Sequence, residues 1–310
     1  ACLSTQGWGH LSASGPLFYS VGGCESGYIA PHPRDTDIFY AGCYGGSLSR
    51  FDRSTGQRRQ INVWPENPMG QSAEDLRERV QWTFPIVFDH MDSNVLYTGT
   101  HKVWRTTDEG QSWEAISPDL TRAEPETMGD SGGPIVKDQD GPEIYSTLYS
   151  IAPSPHDTAT IWTGSDDGFV HITRNSGESW RNVTPPDMLA HTRVMTIDIS
   201  QHDAATAYVA GIRYEMDDRS PYVWKTNDYG ESWMRIVDGI TQDDFVRVIR
   251  EDPYRLGLLY AGTEHGVYIS FDDGANWTTL SYNLPDTPVT GLAVKDRDLV
   301  ISTHGRSFWV

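Results

Sequence analysis

Asp167 and Glu264 lie in short polar turns between predicted β-strands and are the acids best suited to acid–base chemistry. In a hydrolytic site, one of them would act as a neutral acid and the other as an ionised base. Cleavage of a glycosidic bond by such a pair needs carboxyl groups about 5–9.5 Å apart across a sugar-sized cleft. The sequence does not fix their separation, so the catalytic pair is a hypothesis.

The other polar residues of these turns are suited to binding. Arginine pairs with carboxylates, tyrosine stacks on flat ligands, and acids contact hydroxyl groups or cations. The predicted binding residues are Asp166, Arg213, Tyr214, Glu215, His265, His304 and Arg306. Their types differ from turn to turn, and function commonly resides in loops that vary over a uniform scaffold. We expect them to ring one mouth of a central channel; a solvated polar rim without function is the alternative.

Two other patterns resemble sites but have simpler explanations. Residues 129–134, Gly-Asp-Ser-Gly-Gly-Pro, resemble the nucleophile motif of trypsin-like serine proteases, yet the usual context of the histidine base is absent. A glycine-rich connecting loop is predicted there instead. His32, His90, His156 and His202 recur in equivalent turns of different repeats, which would spread them around a ring. No metal or cofactor site is therefore predicted.

A four-fold repeat indicates the scaffold that positions these turns. Its pattern is Ser/Thr-x-Asp/Asn-x-Gly-x-x-Trp, and its copies are residues 106–113, 173–180, 226–233 and 270–277. The tryptophans are 67, 53 and 44 residues apart. A unit of about 40–45 residues with insertions is typical of a propeller blade. An all-β propeller of about six four-stranded blades is therefore predicted.

Each repeat is predicted to form a tight turn between the third and fourth strands of a blade. The Asp or Asn accepts hydrogen bonds from turn amides, and the glycine adopts a backbone angle that other residues resist. The tryptophan begins the fourth strand and packs between neighbouring blades. The Asp and Asn residues of these turns, Asp108, Asn175, Asp228 and Asp272, are therefore predicted to be structural rather than catalytic.

The same analysis divides the chain into an N-terminal segment, residues 1–25, and a propeller, residues 26–310. Blades are predicted near 26–63, 83–117, 148–184, 194–237 and 246–281. A sixth blade, 289–310, shows about three strands. We expect residues 16–22 to supply its fourth strand, because an open sheet edge is hazardous. The alternative is that the chain is a fragment of a longer protein.

The repeated turns resemble the Asp-box or BNR repeats of sialidases, xyloglucanases and sortilin-type receptors. From about residue 20 onward the chain resembles bacterial BNR-repeat, sortilin-like "glycosyl hydrolases". The stretches that carry this resemblance are residues 81–86, 116–122, 263–268 and 303–309. The Arg-Ile-Pro motif of sialidases is missing, and one ring is visible where the xyloglucanases use a cleft between two. The resemblance thus implies the propeller fold strongly and a function weakly.

Composition excludes several classes of partner. The formal charge is −19, from 24 basic and 43 acidic residues, which disfavours a nucleic-acid backbone or an anionic membrane surface. No apolar stretch approaches the roughly 18–20 residues that span a bilayer. Three cysteines, Cys2, Cys24 and Cys43, match no zinc pattern. Cys24 and Cys43 could form one disulfide, or all three could be free thiols.

The sequence therefore predicts an extracytoplasmic propeller that binds a glycan or a polypeptide, or serves as a scaffold module for one. A glycoside hydrolase using a carboxylate pair is the alternative. A third class, a structural subunit that contacts a partner domain or subunit, would show a broad apolar patch.

Overall fold

A computed structural model describes residues 20–24, 27–130 and 144–310 of this protein. These residues form six antiparallel sheets, five with four strands and the last with three. Strands follow each other in sequence order across every sheet, and the first strands of neighbouring blades contact one another. The first strand of each blade is therefore innermost. The predicted six-bladed β-propeller is confirmed.

The strand limits agree with the predicted blades. Blade 1 contains β1 (Ile29–Pro31), β2 (Ile38–Cys43), β3 (Ser47–Asp52) and β4 (Gln57–Gln60). Blade 2 contains β5 (Ile86–Phe88), β6 (Leu96–Gly99), β7 (Val103–Thr106) and β8 (Glu114–Ala115). Blade 3 contains β9 (Leu148–Pro153), β10 (Ile161–Ser165), β11 (Val170–Thr173) and β12 (Arg181–Asn182).

Blade 4 contains β13 (Arg193–Ile199), β14 (Ala207–Arg213), β15 (Asp218–Thr226) and β16 (Met234–Arg235). Blade 5 contains β17 (Val246–Glu251), β18 (Leu259–Thr263), β19 (Val267–Ser270) and β20 (Thr278–Thr279). Blade 6 contains β21 (Val289–Lys295), β22 (Asp298–Thr303) and β23 (Phe308–Trp309). Helix is confined to α1 (Pro125–Met128) and to single 3₁₀ turns at Tyr44–Gly46, Ala73–Asp75 and Tyr214–Met216 in the described part of the chain.

The core lies between the blades, on both faces of their second strands. All five residues of β10 are buried, as are six of the seven in β14, so burial in these strands is continuous rather than alternating. The fourth strands β4, β8, β12, β16 and β20 are exposed. Burial therefore falls from the middle of each blade to its outer edge.

The four repeat turns have one hydrogen-bond pattern. In the first, the Asp108 carboxylate accepts from the Thr106 hydroxyl at 2.8 Å, the Ser112 amide at 2.9 Å and the Ser112 hydroxyl at 2.6 Å. The Thr106 hydroxyl in turn accepts from the Gly110 amide at 2.9 Å. Hydrogen bonding, chiefly from the Ser112 hydroxyl, lowers the pKa of Asp108 to about 2. The carboxylate is therefore committed to shaping the turn, as predicted.

Each repeat turn also packs against the blade before it. The indole Nε1 of Trp277 donates to the carbonyl of Ile236, at 2.9 Å, and Ile236 directly follows the fourth strand of blade 4. The other three indoles make the same bond, Trp113 to Ile61, Trp180 to Ile116 and Trp233 to Val183, at 2.7–2.8 Å. A Cβ on Gly274 would lie 2.5 Å from the Ile236 side chain. Only glycine therefore permits this approach.

Two of the recurring histidines join neighbouring blades. The Nε2 atom of His156 lies 2.8 Å from the carbonyl oxygen of Ser200, and that of His202 lies 2.9 Å from the carbonyl oxygen of Asp252. His32 instead accepts amide hydrogen bonds within its own turn. Each histidine thus belongs to a different blade, in agreement with the predicted distribution around the ring.

A disulfide joins Cys24 to Cys43, at the end of β2, across a Cα–Cα distance of 5.0 Å. It holds residues 20–24 against blade 1, where the Cys24 amide also donates to the carbonyl of Gly42. Residues 20–22 form no strand. Cys2, residues 16–19 and residues 131–134 of the glycine-rich motif lie outside the described part of the chain. The ring-closing strand therefore stays a prediction.

Trp277→Ala should lower the free energy of unfolding by about 3–5 kcal/mol, because it empties a space between blades 4 and 5. Trp277→Phe should cost less, since it keeps a ring and loses mainly the bond to Ile236. Tyr254→Ala is the control, because Tyr254 is 68% exposed on the same face. Thermal melting checks this, and equal melting of all three variants would contradict it.

Cys43→Ser should destabilise the protein by about 3 kcal/mol, since a cross-link between residues 19 apart restricts the unfolded chain. Reductant should lower the melting temperature of the wild type and leave that of Cys43→Ser unchanged. Cys2→Ser is the matched control and should respond to reductant as the wild type does. A wild type insensitive to reductant would count against the disulfide.

Candidate functional site

The predicted site residues lie on the propeller face opposite the repeat turns. In an antiparallel blade, the turn between strands two and three and the turn between strands three and four lie at opposite ends. The blade-to-blade connections share the face of the two-to-three turns. This channel-mouth face therefore carries both the variable turns and the long connections.

The innermost strands of blades 3 to 6 each contain a β-bulge close to this face. One residue of each first strand is skipped in the pairing with the second strand, and these residues are Tyr149, Met195, Arg247 and Thr290. Bulges redirect side chains and are frequent beside active sites. The bulges thus place four dissimilar side chains at equivalent positions around the mouth.

An aromatic shelf is the most organised feature of the channel-mouth face. Tyr214 is 41% exposed and stacks on the buried ring of Phe245, with ring centroids 5.4 Å apart. The Arg247 guanidinium lies 4.9 Å from the Phe245 ring and 5.8 Å from the Tyr214 ring. It donates two hydrogen bonds, at 2.7 and 2.8 Å, to one oxygen of Glu264. We call these four residues the shelf.

Arg193 extends the shelf toward blade 3. Its guanidinium donates to Glu215 and lies 5.3 Å from the Tyr149 ring. The Nε atom of Arg193 is buried and has no hydrogen-bond partner among the described residues. Three residues of this surface were not predicted from the sequence: Arg193, Phe245 and Arg247. They lie at or next to the start of a first strand, where no polar turn was expected. An arginine at the start of an otherwise apolar inner strand is the sequence feature that could have indicated them.

Asp166 is 1% exposed and lies at the base of the face. It accepts hydrogen bonds from the Thr147 amide and hydroxyl, at 2.9 and 2.7 Å, and from the Gln81 amide side chain at 3.2 Å. Burial, and to a lesser degree the adjacent Asp167, raise the pKa of Asp166 to about 7. This carboxyl group is therefore partly protonated at neutral pH.

Asp167 is also 1% exposed, and its contacts are with neighbouring chain. Its carboxylate accepts from the Ser165 hydroxyl at 2.6 Å and from the Arg122 amide at 2.9 Å, while its carbonyl accepts from the Arg122 side chain and the His191 amide. These bonds hold the blade 2–3 and 3–4 connections together. Asp167 belongs to blade 3 and Glu264 to blade 5, and each carboxylate has a different set of partners.

The remaining predicted residues are divided between the shelf and its surroundings. Arg213 contacts Asp218, at 3.2 Å, and the carbonyl of Ala190. His265 pairs with Asp286 at 2.8 Å, and that hydrogen bond is the main reason its pKa is raised. His304 and Arg306 are exposed in blade 6. The structure thus gathers Tyr214, Glu215 and Glu264 with Arg193 and Arg247. It buries Asp166 and Asp167 and leaves Arg213, His265, His304 and Arg306 at the margin.

A hydrogen-bonded array lies beside Asp166. The Tyr145 hydroxyl is 2.9 Å from Nδ1 of His191, whose Nε2 is 3.5 Å from the Glu124 carboxylate. His191 has a positive φ of 62°, which is uncommon outside glycine. The array ties the connections before and after blade 3 to each other. The floor of the site is therefore built by contacts that are distant in sequence.

In the described ranges, no helix has the length and apolar character required to cross a membrane.

Comparison with known proteins establishes similarity over parts of longer molecules. No family model matches the chain. An oligoxyloglucan-reducing end-specific xyloglucanase from Emericella nidulans is 24% identical over 180 residues, which cover 51% of this chain and 22% of that protein. The chain thus spans well under two thirds of the length of this curated relative.

Two solved structures share the fold. The GH74 xyloglucanase from Xanthomonas campestris superimposes with a TM-score of 0.62 at 18% identity, covering 91% of this chain and 44% of that chain. The extracellular domain of a hybrid two-component system from B. thetaiotaomicron gives a TM-score of 0.58 at 14% identity, covering 92% of this chain and 34% of that chain. At these identities the comparison establishes the propeller architecture.

Asp166→Asn should change how stability depends on pH. Because the folded pKa of Asp166 is raised, from 3.8 to about 7, its contribution is complete below about pH 4 and is lost as pH rises through about 7. The amide of the Asp166→Asn variant does not titrate, so the stability of the variant does not fall in this pH range. Its melting temperature, below that of the wild type at pH 4.5, should approach the wild-type value by pH 8; a constant gap between the two would contradict the prediction.

Proposed function

We propose that this chain is an extracytoplasmic glycan-binding propeller domain whose binding surface is the shelf on the channel-mouth face. The observation that carries the proposal is the exposed Tyr214 ring, backed by Phe245 and bordered by Arg247 and Glu264. A rigid aromatic plate with a polar border suits a sugar, which has an apolar ring face and hydroxyl groups at its edge.

The charged residues of the shelf are paired, so the shelf itself suits the neutral hydroxyl groups of a sugar. Arg247 pairs with Glu264, and Arg193 pairs with Glu215. Such pairs offer fixed donors and acceptors to hydroxyl groups without presenting net charge. The similarity to xyloglucanases from two organisms supports a glycan as the ligand rather than a polypeptide.

A glycoside hydrolase is the second candidate function. The observation that favours it is that the Emericella nidulans relative is a xyloglucanase. Hydrolysis would require the Asp167 and Glu264 carboxylates to converge on one bond. Asp167 is enclosed by neighbouring chain and Glu264 is bound to Arg247, so the contacts support binding more than cleavage.

An extracytoplasmic location is supported by two observations. The Cys24–Cys43 disulfide is of a kind that persists in oxidising compartments. The neighbour from B. thetaiotaomicron is itself described as an extracellular domain. A partner domain that completes the glycan site is compatible with the larger size of these relatives, of which this chain spans less than half.

Tyr214→Ala should weaken binding of xyloglucan oligosaccharides at least tenfold, because it removes the exposed plate of the shelf. Tyr214→Phe should retain most of the affinity. Tyr254→Ala, an exposed tyrosine on the opposite face, is the matched control. Isothermal titration calorimetry against oligosaccharides of β-glucans and xyloglucan measures this.

Turnover is measured on the same sugars by release of reducing ends. Binding without turnover, lost in Tyr214→Ala only, is the expected result. Turnover that disappears in both Asp167→Asn and Glu264→Gln, with binding retained, would favour the hydrolase instead. Affinity unchanged by Tyr214→Ala would contradict the shelf as the binding surface.

A further inference from the structure

A pocket of about 270 Å³ opens beside the shelf, between the blade 4–5 connection and the outer half of blade 5. Its lining residues are Thr241, Asp243, Asp244, His265, Gly266, Val267, Tyr268, Thr279 and Ser281. Most of these side chains carry hydroxyl or carboxylate groups, and no lysine or arginine is present in the lining. The volume is sufficient for one sugar residue, and His265 is the one basic side chain of the lining.

The pocket and the shelf share their backbone. Asp244 in the pocket precedes Phe245 of the shelf, and His265 in the pocket follows Glu264 of the shelf. The Glu264 amide donates to the carbonyl of Phe245, and the His265 amide donates to the Asp244 carboxylate at 3.1 Å. The two surfaces are therefore fixed side by side on one rigid frame. A linear oligosaccharide seated on Tyr214 would have its next unit at the pocket.

The two carboxylates of the pocket differ in burial and in hydrogen bonding. Asp244 is buried and accepts hydrogen bonds from the Thr263 hydroxyl and the His265 amide, so it serves the frame. Asp243 is exposed in the pocket wall, and no described residue donates a hydrogen bond to its side chain. Asp286 at the rim is paired with His265, at 2.8 Å. Asp243 is thus available to a ligand.

We infer that this pocket is a second sugar subsite that selects a unit bearing a free amine, so that the ligand is an oligosaccharide containing an amino sugar. The inference rests on the proposed glycan-binding function and deepens it. An ammonium group carries three donors and no acceptor, which matches the free carboxylate of Asp243 and the hydroxyl groups near it. The net charge of −19 also attracts a cationic glycan in solution.

The closing experiment compares a glucosamine trisaccharide with its N-acetylated counterpart by calorimetry on the full chain. These probes have the same backbone, and only the first carries ammonium groups. We expect the amine form to bind about tenfold tighter, a usual ratio for one added charge-assisted hydrogen bond. Asp243→Asn should reduce that preference at least fivefold, because it weakens binding of the amine form much more than binding of the acetylated form.

Two further variants separate the inference from the proposed function. Glu178→Gln, which removes an exposed acid from a repeat turn on the opposite face, should keep the full preference for the amine form. Tyr214→Ala should weaken both sugars, because the shelf serves both. The same salt concentration is kept throughout, since charge attraction is screened by salt.

The other outcomes overturn either the amine subsite or the proposed glycan-binding function. Equal affinity for the two sugars, still weakened by Tyr214→Ala, overturns the amine subsite and leaves the proposed function standing. A preference that Glu178→Gln reduces as much as Asp243→Asn assigns it to overall charge and overturns the subsite. Tighter binding of trilysine than of the amine sugar assigns the pocket to polypeptides. Absence of any binding sensitive to Tyr214→Ala overturns the glycan proposal itself.

Discussion

The contact between each repeat turn and the blade before it is the interaction on which the rest of this structure depends. An indole N–H bonds to the carbonyl just after the preceding fourth strand, and a glycine lies directly on the side chain there, as Trp277 and Gly274 do on Ile236. This contact sets the spacing of neighbouring sheets. It recurs four times and joins each pair of neighbouring blades from blade 1 to blade 5.

Because the repeat turns lie on the opposite face, the residue types of the channel-mouth face can vary. The inner strands of blades 3 to 6 keep an equivalent buried residue, Leu148, Val194, Val246 or Val289, directly before a bulge. The bulged residues themselves share no chemistry. A buried apolar residue followed by a variable bulged residue places different side chains at one mouth of the channel. Tyr149 and Arg247 reach the site by this route.

The acids of this face serve two purposes that the structure separates clearly. Asp166, Asp167 and Asp244 are buried and hold connections together through amide and hydroxyl donors. Glu215 and Glu264 lie at the surface and orient arginines beside aromatic rings. A buried carboxylate that accepts several bonds is already satisfied, whereas one at the rim can exchange partners with a ligand. The binding chemistry therefore belongs to the rim.

The sequence by itself determined the propeller, its six blades, the structural role of the repeat turns and the face that carries the variable residues, because each depends on local spacing around Asp108, Trp113 and their equivalents. It also offered the Cys24–Cys43 pairing as one of two alternatives. Only the tertiary structure decided that Asp167 is enclosed and that Arg193 and Arg247 border Tyr214. The burial and the pairing of these side chains depend on residues distant in sequence, and the spacing of a repeat does not reveal those contacts.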